Sequence, residues 1–270
     1  MKKYKIGFVG AGNMGSAMIG GIVNKGLFDK SRIIAADMLE ESRSKVKAAY
    51  GIDVTDDNKK LAAESEVVLI AVKPYQFDDV LADLREGIDA DTIVISVAAG
   101  KTISIIENAL MSVSVVGKLR VVRAMPNTPA LVGEAMTGLA AGSNVTDEDM
   151  KLVLPIFESF GKAEVISENQ MDIITGLSGS SPAYVYMMIE AMADAAVEMG
   201  FNRQLAYDFA SQAVLGAAKM VRDTKKHPGE LKDAVCSPGG TTIAGVAALE
   251  KGGFRSTVSD SIKAAIEKAR

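Results

Sequence analysis

Two short segments carry residue types whose spacing could do chemistry. The first is Gly10-Ala11-Gly12-Asn13-Met14-Gly15, which follows the apolar run Tyr4-Lys5-Ile6-Gly7-Phe8-Val9 and opens a helical pattern. Each glycine has its own task. Gly10 permits a tight turn, Gly12 lets the backbone approach a pyrophosphate, and Gly15 lets helix and strand pack closely. The anion would then rest on the free N–H groups at the positive end of the helix. Alone such a string is weak, but after an N-terminal strand in an alternating strand–helix segment it predicts dinucleotide binding through Val9, Gly10, Ala11, Gly12, Asn13, Met14 and Gly15. The second segment is Ser237-Pro238-Gly239-Gly240-Thr241-Thr242, which stops one helix and starts another. It leaves several backbone N–H groups unpaired beside the hydroxyls of Ser237, Thr241 and Thr242, an arrangement suited to a substrate carboxylate. Pattern alone equally allows an ordinary capped helix junction.

Further residues bear on the dinucleotide. Asp37 ends the second strand pattern, 22 residues beyond Gly15, where a carboxylate can accept from an adenosine ribose and repel a 2′-phosphate. Ser42, Arg43 and Lys45 follow within two helical turns and could pair with that phosphate, so both NADH and NADPH stay open. Asp37 could also cap the following helix, with Arg43 simply solvated. Ala71-Val72-Lys73-Pro74 ends a buried strand and Ser96-Val97-Ala98-Ala99-Gly100 ends another. Ligands of open α/β sheets lie outside the carboxyl ends of strands, so both turns should face the cofactor. Lys73 reads either as a phosphate or substrate contact or as a plain turn lysine.

The elements that must hold these residues fall into two halves. Short β-branched runs at 4–9, 32–36, 67–72, 92–97 and 119–124, with weaker ones near 135–141 and 163–166, alternate with helical stretches such as 16–25, 40–50 and 147–160. Runs apolar throughout, such as Val67-Val68-Leu69-Ile70-Ala71-Val72, belong to strands covered on both faces, and the alternation predicts a parallel, doubly wound sheet. Beyond residue 166 no strand run reappears, and 182–199, 203–224 and 256–268 read as helices. The expected fold is a Rossmann-like α/β domain at 1–165 followed by an all-α domain at 166–270. Those helices are rich in Ala, Gly and Met around much of their circumference, which predicts that a second subunit covers part of them.

Composition excludes other classes. A formal charge of −4 gives no electrostatic reason to expect nucleic acid or an anionic membrane. One cysteine, Cys236, and one histidine, His227, cannot form an intrachain disulfide or a structural zinc site, so no metal is expected. No apolar run approaches the ~20 residues of a membrane span, and the first residues lead straight into the glycine segment, so a cytoplasmic protein is expected.

The order of these motifs is recognisable. Gly7-Phe8-Val9-Gly10-Ala11-Gly12-Asn13-Met14, Ala71-Val72-Lys73-Pro74, Val122-Arg123-Ala124-Met125-Pro126-Asn127-Thr128-Pro129, Gly176-Leu177-Ser178-Gly179-Ser180-Ser181-Pro182-Ala183-Tyr184, His227-Pro228-Gly229-Glu230-Leu231-Lys232-Asp233 and the block from Ser237 to Thr242 resemble the pyrroline-5-carboxylate reductase family over nearly the whole chain. The resemblance implies NADPH or NADH bound through Val9 to Met14, Asn58, Ala71, Val72, Lys73, Pro74, Val97, Ala98 and Ala99. It implies a helical dimerisation half, with larger assemblies of dimers open. It also implies an active site shared between subunits, in which the substrate carboxylate lies on N–H groups around Ser237, Gly239, Gly240 and Thr241. The expected reaction is reduction of the C=N bond of L-1-pyrroline-5-carboxylate to L-proline, the last step of proline biosynthesis. Thr242 is the expected catalytic residue, reaching the ring nitrogen through its hydroxyl. Ala234 and Lys225-Lys226 depart from some relatives and leave the rim contacts open. His227, before Pro228, reads as a structural residue in a helix-breaking turn rather than an acid. A β-hydroxyacid dehydrogenase would share the glycine motif, but it needs a lysine after a glycine-rich helix start, and none is found. A non-catalytic dinucleotide sensor would not need the 237–242 turn.

Overall fold

The computed structural model describes residues 2–111, 115, 117 and 119–270. Two compact units divide the chain, Met1–Gly179 with Ile266–Arg270, and Ser180–Ala265.

The first unit is built on an eight-stranded sheet: β1 (Tyr4–Val9), β2 (Ile33–Ala36), β3 (Asp53–Thr55), β4 (Ser65–Ile70), β5 (Ile93–Ser96), β6 (Arg120–Met125), β7 (Ala135–Ala141) and β8 (Gly161–Val165). Their spatial order is β3-β2-β1-β4-β5-β6-β7-β8. The first six strands are parallel, with Phe8 opposite Ala35 and Leu69, and Ser96 opposite Arg123. This departs from a wholly parallel sheet at β7, which runs antiparallel to β6 while β8 runs parallel to β7. The loop from β6 to β7 holds a turn at Thr128–Val132 and no crossover helix, so the chain returns beside the strand it left. β3 was not expected from the sequence. At three residues, half-exposed at the sheet edge, it has too short a pattern to read.

Along β4 the side chains alternate between two cores, as a period of two requires. Val67 and Leu69 join Ile6, Phe8, Met18, Ile19, Ile22, Phe157 and Phe160 on one face. Val68 and Ile70 join Leu61, Phe77, Leu81, Leu84, Ile106 and Leu110 on the other. The helices supplying the first face are α1 (Asn13–Lys25), α2 (Glu40–Tyr50) and α6 (Asp147–Glu158); those supplying the second are α3 (Asn58–Glu64), α4 (Phe77–Arg85) and α5 (Ile103–Leu110). Local chemistry sets their ends. Gly26 and Gly51 stop α1 and α2 in left-handed backbone, and a reciprocal Thr146–Asp149 capping box starts α6. After β8 come α7 (Met171–Ile174) and a π-turn at Thr175–Gly179.

The second unit contains α8 (Ser181–Glu198), α9 (Arg203–Thr224), α10 (Pro228–Val235) and α11 (Thr241–Lys251), and α12 (Phe254–Ala269) begins in it. Within Ser180–Ala265 the only buried residues are Ala193, Ala206 and Ala210. Large apolar side chains stay open, among them Met187 at 68%, Met199 at 86% and Phe209 at 68% exposure. Among the described residues no helix is long and apolar enough to cross a membrane.

Candidate active site

The candidate dinucleotide site grows from the carboxyl ends of β1, β4 and β5. Gly10 leaves β1 with φ of 100°, a conformation that glycine adopts without strain. A Cβ at Gly10 would meet the Ala71 carbonyl oxygen at 2.7 Å. One at Gly15 would be driven into the Gly10 carbonyl oxygen, so only glycine lets α1 start this close to the strand. Gly12 differs: a Cβ there would meet nothing within 4 Å. It is the N-cap of α1 and has no side-chain cap, so the first N–H groups of the helix face open space. An uncapped helix start beneath an open glycine fits a pyrophosphate.

The neighbouring turns are pinned to the same edge. Ala71 N–H donates to the Val9 carbonyl at 2.7 Å, which seats Ala71 and Val72 against the glycine turn. Lys73 is the exposed N-cap of the turn Pro74–Gln76 and has no ion-pair partner among the described residues. Val97 N–H donates to the Ile70 carbonyl at 3.1 Å, and Ala98 N–H to the Ser96 hydroxyl at 3.2 Å. Val97, Ala98 and Ala99 therefore leave β5 beside the end of β4. Asn58 opens α3 and donates its amide to Asp83 at 3.1 Å. It follows β3, whose Thr55 lies opposite Ala36, so it stands on the Asp37 side of the edge.

Asp37 does not cap α2, and its carboxylate braces the glycine turn at the end of β2. Its Oδ2 accepts from Ala11 N–H and its Oδ1 from Leu39 N–H, both at 2.9 Å. The carboxylate thus ties the glycine turn to the end of β2, and Leu39, not Asp37, is the N-cap of α2. Arg43 is not simply solvated. Its guanidinium donates to the carbonyls of Asp37 at 2.6 Å and Met38 at 3.0 Å, leaving the side chain only 18% exposed. Asn127 had no assigned role. It is buried, accepts from Met136 N–H at 3.0 Å and donates to the Ser178 carbonyl at 2.9 Å, bracing the π-turn. Its place between Pro126 and Pro129 was the only sign of it in the sequence.

In the second unit the 237–242 segment forms a tight turn. Gly240 N–H donates to the Ser237 carbonyl at 3.0 Å, and Gly239 takes φ of 67°. Gly240 is the N-cap of α11 and supplies no side-chain cap, so Thr241, Thr242 and Ile243 present their N–H groups at the helix start. The hydroxyls of Ser237, Thr241 and Thr242 have no partner within the described residues, and all three residues are at least partly exposed. His227 is the N-cap of α10, its Nδ1 accepting from Gly229 N–H at 3.0 Å, which gives the histidine a structural task. No cluster of His, Cys, Asp and Glu among the described residues could hold a metal ion.

A doubly wound sheet with a glycine turn, an uncapped helix start beside it and an all-helical second half has the form of a Rossmann-like dinucleotide-binding protein. Residues 5–100 match the family model described as NADP oxidoreductase, coenzyme F420-dependent, and residues 168–270 match the one described as pyrroline-5-carboxylate reductase dimerisation. A pyrroline-5-carboxylate reductase from Methanosarcina acetivorans is 45% identical over 100% of this chain and 98% of its own. Among solved structures, one from Coxiella burnetii superposes with a TM-score of 0.90 at 35% identity, covering 99% of this chain and 97% of that one. Another, from Plasmodium falciparum with NADP bound, gives 0.86 at 34% identity over 100% and 98%. The chain belongs to the pyrroline-5-carboxylate reductase family.

Proposed function

We propose that this protein reduces the C=N bond of L-1-pyrroline-5-carboxylate to L-proline in the cytoplasm, as a homodimer or an assembly of dimers. Residues 1–165 hold the dinucleotide in this reading, and residues 166–270 serve the substrate and the subunit contact. The observation that carries it is the start of α11, where free N–H groups and three unpartnered hydroxyls stand together within the residues that match the family's dimerisation model.

The residues of the glycine turn, with Ala71 to Pro74 and Val97 to Ala99, would hold NADPH or NADH. When bound, the nicotinamide supplies the hydride that the imine carbon receives. The substrate carboxylate is held by the free N–H groups that follow Gly240 at the start of α11, those of Thr241 and Thr242, with the Ser237 hydroxyl beside them. The positive end of α11, worth ~0.3–1 kcal/mol for an anion at an exposed helix start, adds to these bonds. Hydride addition is easier to an iminium than to a neutral imine, so the ring nitrogen needs a donor. The Thr242 hydroxyl serves as that donor or as a relay for solvent protons, because its pKa is too high for a full general acid. Most of the rate then comes from orientation and from fixed dipoles aimed at the nitrogen. The relative with NADP bound supports NADPH as a cofactor.

Steady-state kinetics of the purified protein with pyrroline-5-carboxylate, run with NADH and with NADPH, is the test. Substrate-dependent oxidation of either cofactor with formation of proline is expected. Oxidation of neither would end this reading.

A further inference from the structure

Arg123 lies on β6 and is 5% exposed, far from the water its charge requires. Two carboxylates compensate it from the segment after β8: Glu168 at 3.5 Å and Asp172 at 3.8 Å. Such a buried cation is tolerable only when paired. Glu168 does more than pair. The same Oε1 accepts from the backbone N–H of Ile103 at 2.7 Å, across 65 residues of sequence. Ile103 is the first residue of α5, so Glu168 satisfies one of the orphan donors of that helix with a charge-assisted bond. The remainder of the cap is local, the Thr102 hydroxyl accepting from Ile105 N–H at 3.3 Å. The carboxylate that makes the long-range bond is itself anchored, because Ile166 and Ile174 of the same segment close over Gly138 on β7.

Residues 97–102 connect β5 to α5. At their start Val97 is bonded to Ile70 and Ala98 to Ser96; at their end stands the Glu168–Ile103 bond. We infer that Glu168 is a positioning residue for the reaction: it fixes the far end of the 97–102 turn and so holds Val97, Ala98 and Ala99 where the nicotinamide half of the dinucleotide lies. This rests on the function proposed above, which gives that turn its ligand. The charge on Glu168 serves Arg123, whereas its reach serves the turn, and two variants separate them. Glu168→Gln keeps an acceptor at the same reach but loses the charge. Glu168→Asp keeps the charge, and its shorter arm gives up the bond to Ile103 N–H.

The experiment measures KM for NADPH, kcat, KM for pyrroline-5-carboxylate and the melting temperature of the full-length enzyme and of both variants. NADPH binding is also followed by its fluorescence without substrate. Glu168→Asp should raise KM and Kd for NADPH by about three- to tenfold, the effect of one lost hydrogen bond, and lower kcat, with KM for the imine unchanged. Glu168→Gln should stay within about twofold of the parent in all four constants while melting lower, because Arg123 loses a partner. A merely structural role would move the melting temperatures and leave this crossed pattern absent. Equal effects of the two variants on NADPH binding, or a larger effect of Glu168→Gln, would overturn the inference. Parent enzyme that binds neither NADPH nor NADH would instead bring down the functional reading beneath it.

Discussion

Replacing Gly12 with alanine adds one methyl group at a position where the chain itself has nothing within 4 Å. Its backbone, at φ −67° and ψ −167°, is open to any residue, so the folded state accepts alanine without strain. Fewer unfolded conformations remain, and stability should hold or rise by ~0.4–1 kcal/mol. The methyl group does, however, fill the space over the start of α1. If a pyrophosphate lies there, an N–H bond to a charged oxygen is lost or stretched, at ~1.5–3 kcal/mol. Binding of NADH and NADPH should weaken by about tenfold to a hundredfold or somewhat more. Gly15→Ala is the contrast. Its Cβ lands on the Gly10 carbonyl oxygen, far inside the 3.0 Å that real Cβ contacts respect, and backbone on both sides must move. Overpacking of this kind costs ~1–3 kcal/mol or more, so this variant should lose stability and cofactor binding together. Thermal melting and fluorescence titration with NADPH measure both quantities on the same samples. Parent-like binding by Gly12→Ala would show that the open space is not the pyrophosphate seat. A loss of stability equal to that of Gly15→Ala would refute the steric argument.

Other substitutions probe the remaining parts. Asp37→Ala removes the acceptor for Ala11 N–H together with a charge near the 2′ position, so kcat/KM with NADH should fall and the NADPH-to-NADH preference rise; an unchanged ratio would mean that Asp37 only braces the turn. Thr242→Ala keeps the N–H groups of α11, so kcat and kcat/KM should drop together by roughly tenfold to a few hundredfold with little change in KM, and Thr241→Ala should matter less; the reverse order would reassign the proton-side residue. Glu107 is held above the usual carboxylate range, first by burial and then by the charge of Glu168. A carboxyl raised in the folded state loses stability as pH climbs from its unfolded value near 4.5 through its folded one, so Glu107→Gln should raise the melting point at pH 7 and leave it unchanged below pH ~4. An equal gain at both pH values would remove the ionisation argument. Light scattering at low micromolar concentration should find a dimer or larger, since a unit that buries only three alanines has no core of its own; a stable, active monomer would refute this.

What the sequence alone determined was local. Glycine spacing marked the turn because positive φ and close approach are demands on single residues, as at Gly10 and Gly15. Apolar runs marked β1, β2, β4, β5 and β6 because strands covered on both faces need them, and periodicity marked α2 and α9 to the residue. The start of α11 was legible for a similar reason, since a Pro-Gly-Gly break followed by hydroxyl residues fixes where a helix begins. Tertiary structure decided everything that joins distant residues. The partner of Asp37 lies 26 positions away, in a turn brought near only by the pairing of β1 with β2. Glu168 meets Ile103 across 65 positions, and β7 reverses direction in a sheet whose other neighbours gave no sign of it. Side-chain periodicity reports which face of an element is apolar but not which element covers that face. A hydrogen bond or ion pair between distant residues appears only once strand order has placed its two ends together.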